Sequence, residues 1–220
     1  MKHTIVRLIV VTMFCIGVNG LQAQTVKDID GNVYKTVTIG TQVWMAENLK
    51  TTKYKDGTAI PLVTDDKVWA TLTRPAYCWY NNDIVNKGTY GALYNWYTIN
   101  TNKLCPFSWH VPSDVEWTTL TTFLGGEDAA GGKLKESGTI HWKSPNTGAT
   151  NETGFTALPS GYRYESGSFF SIGNYGNWWS SSEFYTGSAY YRLMDYSNGI
   201  VSSNGESNRY GYSVRCLKDK

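Results

Sequence analysis

The chain is poor in charge, proline and histidine: 17% of its 220 residues are Asp, Glu, Lys or Arg, with 6 Pro and 3 His. So little charge beside 41% hydrophobic and 15% aromatic residues excludes intrinsic disorder, because that much apolar surface offsets the entropy of ordering. The Ala, Glu, Lys and Leu bias of a coiled coil is missing. No Lys/Arg cluster is present, which excludes an electrostatic footprint for nucleic acid. The 4 Cys form no C-x-x-C, and neither His110 nor His141 has a partner at i, i+4, so no metal or other cofactor is expected. No run is long enough to span a membrane: Leu8–Val18 covers about 11 residues against the roughly 20 required.

What is there begins with a leader. Lys2 and Arg7 precede the apolar Leu8–Val18, and Leu21-Gln22-Ala23 offers small-residue cleavage chemistry before Gln24. This pattern predicts a secretory signal peptide over residues 1–23, cleaved after Ala23. Cys15 sits inside the apolar run, not after a small residue at the cleavage point, so no lipoprotein signal is expected. Loss of Lys2 and Arg7 leaves 18 basic and 18 acidic residues, a formally neutral chain. Residues 24–220 suit a single domain, with no Pro/Ser-rich linker. Destination is expected to be the periplasm, the cell surface or the medium. Export places Cys78, Cys105 and Cys216 in an oxidising compartment, so one disulfide and one odd thiol are expected, with three pairings open.

Local patterns define an α+β class. Val26–Ile29, Val33–Ile39 and Gln42–Met45, punctuated by Asp30-Gly31 and Gly40-Thr41, predict a three-strand meander. Residues 50–75 read as a polar surface excursion and Ala76–Tyr80 as a short strand. Leu93, Trp96 and Tyr97 share a face at helical spacing, which predicts a helix over Gly91–Asn100. Ser113 and Glu116 form a capping box that starts a helix ended by Gly125-Gly126, with Trp117, Leu120, Phe123 and Leu124 as its buried stripe. After Lys135 the chain reads as loops and short antiparallel strands, among them Ala189–Met194, Gly199–Val201 and Gly211–Leu217.

Gln42–Leu49, Tyr90–Trp96, Cys105–Trp117, Asn151–Arg163, Trp178–Glu183 and Ser213–Asp219 together resemble the Fibrobacter succinogenes major paralogous domain, common in exported proteins of the Bacteroidetes. The resemblance spans nearly all of residues 24–220, in order. That family's biochemical function is unknown, so the resemblance implies a fold and no activity. The order of elements also resembles the wider C-type-lectin-like fold: short antiparallel strands, about two helices and long loops. There a cysteine ahead of the Pro-Ser-x-x-Glu helix pairs with one in the last strand, which implies a Cys105–Cys216 bridge and leaves Cys78 as a buried, unpaired residue.

Function classes follow from what the resemblance supplies and omits. Ser144-Pro145-Asn146 lacks the acidic or amide first residue of a lectin calcium loop, and Trp79–Asp83 lies upstream, in the wrong order, so calcium-dependent sugar binding is not expected. Calcium-independent recognition is: the stretch Gly138–Asn208 is dense in Tyr, Trp, Asn and Ser, and Trp142, Trp178, Trp179 and Tyr190 are its candidate aromatic platforms. The expected function is therefore an exported, non-catalytic recognition or structural domain for glycan or a cell-surface protein. The enzyme alternative is twofold. Formylglycine-generating oxidases share Pro-Ser-x-x-Glu-Trp, but need two catalytic cysteines where only Cys216 stands. A hydrolase would pair acids among Glu152, Glu165, Glu183 and Asp195. Ser180–Ser182 lies in no nucleophile elbow, Gly131-Gly132 lacks a phosphate-binding lysine, and His110 and His141 read as hydrogen-bonded near-core residues.

Overall fold

The computed structural model describes residues 24–220; the leader expected over residues 1–23 lies outside them. The strands are β1 (Thr25–Lys27), β2 (Val33–Ile39), β3 (Gln42–Met45), β4 (Tyr77–Cys78), β5 (Leu93–Tyr94), β6 (Trp109–His110), β7 (Ser160–Arg163), β8 (Phe169–Ile172), β9 (Tyr175–Tyr185), β10 (Ser188–Asp195), β11 (Val201–Ser207) and β12 (Leu217–Lys218). The helices are α1 (Asp66–Ala70), α2 (Asn86–Tyr90), α3 (Trp96–Ile99), α4 (Asp114–Phe123) and α5 (Glu127–Leu134). The class is α+β, with more strand than helix. Among the described residues no helix is long and apolar enough to cross a membrane.

Two five-stranded sheets carry the fold, in the orders β1-β2-β3-β12-β6 and β11-β10-β9-β7-β8. The first contains the expected meander. The C-terminal β12 then inserts between β3 and β6, with Leu217 opposite both Trp44 and His110. Cys216, one residue ahead of β12, is bonded to Cys105, ahead of α4, and Cys78 is free and buried. The pairing implied by the family resemblance is the one present. The second sheet is antiparallel except where β7 meets β9 at Gly161 and Gly176.

Helix α4 starts as expected: the Ser113 hydroxyl accepts from the Glu116 amide, and the Glu116 carboxylate accepts from the Ser113 amide at 2.8 Å. Trp117, Leu120 and Leu124 face inward. Phe123 does not; it is 63% exposed and lies over Gly40 in the β2–β3 turn, because Leu120 and Leu124 already fill the inward stripe as the helix ends. The helix expected over Gly91–Asn100 is instead strand β5 followed by the single turn α3. Asn95 divides them, its side chain accepting from the Thr98 amide as an N-cap.

Helix α5 has no counterpart among the sequence expectations, since Gly131-Gly132 lowers its helix propensity by about 1 kcal/mol per residue. Those glycines are needed for contact: a Cβ on Gly131 would lie 2.5 Å from the Ile200 carbonyl oxygen. Next to them Lys135 is buried, its ammonium donating to the carbonyls of Thr147, Asp195 and Asn198 at 3.1, 2.8 and 2.6 Å and lying 5.3 Å from the Trp142 ring. Burial pushes the ammonium down to about 8, against the pull of the Asp195 charge, so it is charged at neutral pH.

Candidate functional site

The register of β10 and β11 decides which side chains share a face. Ala189 lies opposite Glu206, and Tyr191 opposite Asn204. Alternation then puts Ala189, Tyr191 and Leu193 with Ser202, Asn204 and Glu206 on one side, and Tyr190, Arg192 and Met194 on the other. The first side is continued by Tyr162 of β7, and Tyr210 and Tyr212 from the segment before β12 close over it. The ring centroids of Tyr212 lie 4.5 Å from Trp179, 4.7 Å from Tyr191, 5.5 Å from Tyr210 and 6.0 Å from Tyr162. Tyr210 stacks on Tyr162 at 6.1 Å and meets Tyr164 edge-on at 4.9 Å. Phe170 lies 5.8 Å from Tyr162 and 6.1 Å from Tyr164. The rings thus run in continuous contact from the buried Trp179 out to Tyr164, 36% exposed, and Phe170, 45% exposed.

The β7–β8 hairpin holds the outer rings in place. Gly167, at φ 100°, donates its amide to the Tyr164 carbonyl, and Tyr164 donates to the Ser168 carbonyl. Beneath it Arg163 is buried, its guanidinium 4.3 Å from the Trp69 ring and 4.8 Å from Phe169, ion-paired to Asp66 at 2.8 Å. The exposed rings therefore sit on a fixed base.

Three charged groups border the rings. Glu165, in the hairpin turn, pairs with Arg209 at 2.8 Å, and that guanidinium holds its carboxyl below the ordinary value. Glu206 makes no ion pair among the described residues. Burial pushes its carboxyl up, beyond what the Tyr210 hydroxyl and Ser207 amide recover, and the Glu165 charge pushes it further. Its own charge in turn raises the hydroxyls of Tyr162, Tyr191, Tyr210 and Tyr212, that of Tyr191 to about 12, with burial the larger cause in each. Two carboxylates against one guanidinium leave the face net negative.

The four aromatics expected as platforms do not converge. Trp142, Trp178 and Trp179 are buried and present no face to a ligand. The Trp142 indole donates to the Ala157 carbonyl at 2.9 Å and lies over Lys135, while Trp178 and Trp179 pack beneath β9 on its two sides. For Trp178 and Trp179 the cause is simple: β9 is covered on both faces at this point, so two consecutive indoles are both buried. Tyr190 is half-buried and belongs to a different patch, 4.8 Å from Phe184, which packs on exposed Tyr185 at 4.2 Å. The sequence signal for this exposed aromatic face is Tyr162-Arg163-Tyr164 followed by Phe169-Phe170, an alternating hairpin with a Glu-Ser-Gly turn.

Of the other reactive groups, Glu183 is exposed and makes no ion pair among the described residues, while the rest have partners or are buried. His110 lies with Nδ1 2.6 Å from Asp219 and Nε2 2.9 Å from Glu116, so both ring nitrogens face a carboxylate. His141 faces Glu136 at 2.8 Å. Glu152 pairs with Lys133, and the Asp195 carboxylate accepts from the Ser197 amide. Burial pushes the Cys78 thiol up to about 12, far from the thiolate that chemistry requires. Among the described residues no three His, Cys, Asp or Glu side chains converge as metal ligands.

The family model of the Fibrobacter succinogenes major domain matches residues 37–218. The chain belongs to that family. The matched span of this Fibrobacter succinogenes major domain includes both bridged cysteines, the whole second sheet and the tyrosine face. It also includes a knot of motif residues: Asn48 Oδ1 accepts from the Trp178 indole and from Arg215 Nε, both at 2.8 Å. Arg215 donates further to the carbonyls of Phe155 and Thr156, so this segment pairing is set by a buried cation shared among carbonyls. No curated protein and no solved structure matches the chain.

Proposed function

We propose that this domain is an exported, non-catalytic recognition module that binds glycan on the face presented by Tyr164 and Phe170, with Tyr162 and Tyr210 packed behind them. One observation carries the reading: rings anchored in the core reach the surface as a connected aromatic cluster, with Tyr164 and Phe170 edge-to-face at its exposed end and a carboxylate, Glu165, in the hairpin turn beside them. Flat rings match the apolar faces of pyranoses, and rim carboxylates accept from sugar hydroxyls. Two features support export, namely the leader-like pattern of residues 1–23 and a disulfide of a kind that persists outside the reducing cytosol. We further read the fold as C-type-lectin-like, supported by a bridge that joins the segment before α4 to the last strand.

A glycan array and a polysaccharide pull-down, each run with and without calcium, test the proposal. Retention of a polysaccharide in both conditions, lost in a Tyr164→Ala/Phe170→Ala variant, is the expected result. Absence of binding, binding indifferent to that double substitution, or turnover of the bound polysaccharide would each overturn it. N-terminal sequencing of the exported protein should begin at Gln24; a mature chain that retains Leu8–Val18 would remove the case for cleavage.

A further inference from the structure

Arg163, Arg192 and Arg215 are buried. The first two each meet a carboxylate, Arg163 with Asp66 at 2.8 Å and Arg192 with Asp114 at 2.7 Å. Arg215 makes no ion pair among the described residues. That is unusual, because carbonyl dipoles recover only part of the hydration that a buried charge gives up. Nor are its donors all used. A guanidinium has five N–H groups. Here Nε donates to Asn48 Oδ1 at 2.8 Å, Nη1 to the carbonyls of Met45 and Phe155, and Nη2 to the Thr156 carbonyl at 2.7 Å, which leaves one N–H on Nη2. Lys135, the other buried cation held by carbonyls, has an acceptor for each of its N–H groups.

Arg215 also lines a cavity of about 340 Å³, together with Ala46, Glu47 and Lys50 after β3, Thr89 of α2 and Leu158 before β7. We propose that this cavity binds a small monocarboxylate, its oxygens on Arg215 and Lys50 and its carbon chain against Ala46 and Leu158. The site is separate from the glycan face, since none of its lining residues belongs to the β7–β8 hairpin. Its charges favour one negative charge: two cations stand against Glu47, which lies 3.7 Å from Lys50. Burial works against the Arg215 charge and pulls the guanidinium down to about 9, with Glu47 the opposing influence. A bound carboxylate supplies the contact counter-charge that Glu47 does not. A dianion would be repelled by Glu47, and an inorganic ion would gain nothing from the apolar walls.

Arg215 Nε and the Trp178 indole both donate to Asn48 Oδ1, so their proton–nitrogen NMR signals report on the cavity wall. Parallel titrations of the isotope-labelled protein with sodium acetate, sodium chloride and inorganic phosphate, at matched ionic strength, test the proposal. Acetate is expected to shift both signals saturably and to bind about tenfold more tightly than chloride or phosphate. Lys50→Met should weaken acetate about tenfold. Thr89→Phe, at an exposed residue of the cavity rim, should abolish the shifts; the rest of each spectrum reports that the variant is folded. Absence of a saturable acetate shift would overturn the site. Chloride that binds as tightly as acetate, or phosphate that binds more tightly, would overturn the carboxylate assignment. Acetate shifts that survive Thr89→Phe would place the anion outside this cavity, and unchanged affinity in Lys50→Met would overturn the role given to Lys50.

Discussion

Trp178 and Trp179 are consecutive, yet their rings enter separate cores on opposite faces of one sheet. The Trp178 indole donates to Asn48 at 2.8 Å among Trp44, Trp117 and Phe155; the Trp179 indole donates to the Tyr94 carbonyl at 2.8 Å among Tyr191 and Tyr212. Strand β9 is therefore the partition between both cores. Trp179, the innermost ring of the tyrosine chain, is held at both its ring and its indole N–H.

Loss of the bridge should be costly. Cys105 and Cys216 are separated by 111 residues, a closure for which chain entropy alone gives about 4.7 kcal/mol as an upper figure. A Cys105→Ser/Cys216→Ser variant is expected to lose about 2–5 kcal/mol in urea denaturation. Cys78 should resist thiol reagents in the native chain and react only on unfolding; rapid native labelling would contradict its burial.

Gly131→Ala tests the contact between α5 and the β10–β11 loop. Helix propensity favours alanine by about 1 kcal/mol. The added Cβ would sit 2.5 Å from the Ile200 carbonyl oxygen, and overpacking of that kind costs about 1–3 kcal/mol. A net loss of stability is expected, and a gain would show that the loop yields.

Acid should weaken the start of α4. Burial works against ionised Glu116, but the Ser113 amide and hydroxyl and the adjacent His110 outweigh it and hold the carboxyl below its ordinary 4.5. The unfolded chain then binds the proton first, so this stabilisation is complete above about pH 4.5 and declines as pH falls through the lower folded value. Asp219, on the other ring nitrogen of His110, shares in the same clamp. Glu116→Gln should flatten the acid limb of stability against pH measured by urea denaturation; an unchanged slope would place the acid sensitivity elsewhere.

Lys135→Met retains the apolar stem and removes the ammonium. The carbonyls of Thr147, Asp195 and Asn198 then lose a shared donor in a buried setting, at a cost of about 3 kcal/mol. Thermal denaturation should register the loss, and hydrogen exchange should locate it in the segments around those three carbonyls.

The elements legible from residue order are those set by local chemistry. Asp30-Gly31 turns the meander, and Ser113 with Glu116 starts α4; neither needs a distant partner. The bridge was legible through family likeness, because pairing among three cysteines has no local signature. Helix α5 was hidden since Gly131-Gly132 reads as a break, whereas it serves an approach to Ile200 and Gly148 visible only in the packed chain. Three of the aromatics expected as platforms are buried for a related reason. Trp142, Trp178 and Trp179 resemble Tyr164 and Phe170 in composition, and only tertiary cover decides which of them meet water.

Many extracellular loop regions are pinned by a dissolved ion and loosen when that ion is scarce. In this domain the equivalent charge is covalently attached, on Lys135, and clasped by carbonyls from two separate loops. It arrives with the polypeptide, cannot be stripped by a chelator, and does not wait on the mineral content of the surroundings. The loops behind the second sheet are consequently tied together by a charge that comes with the chain and not from solution.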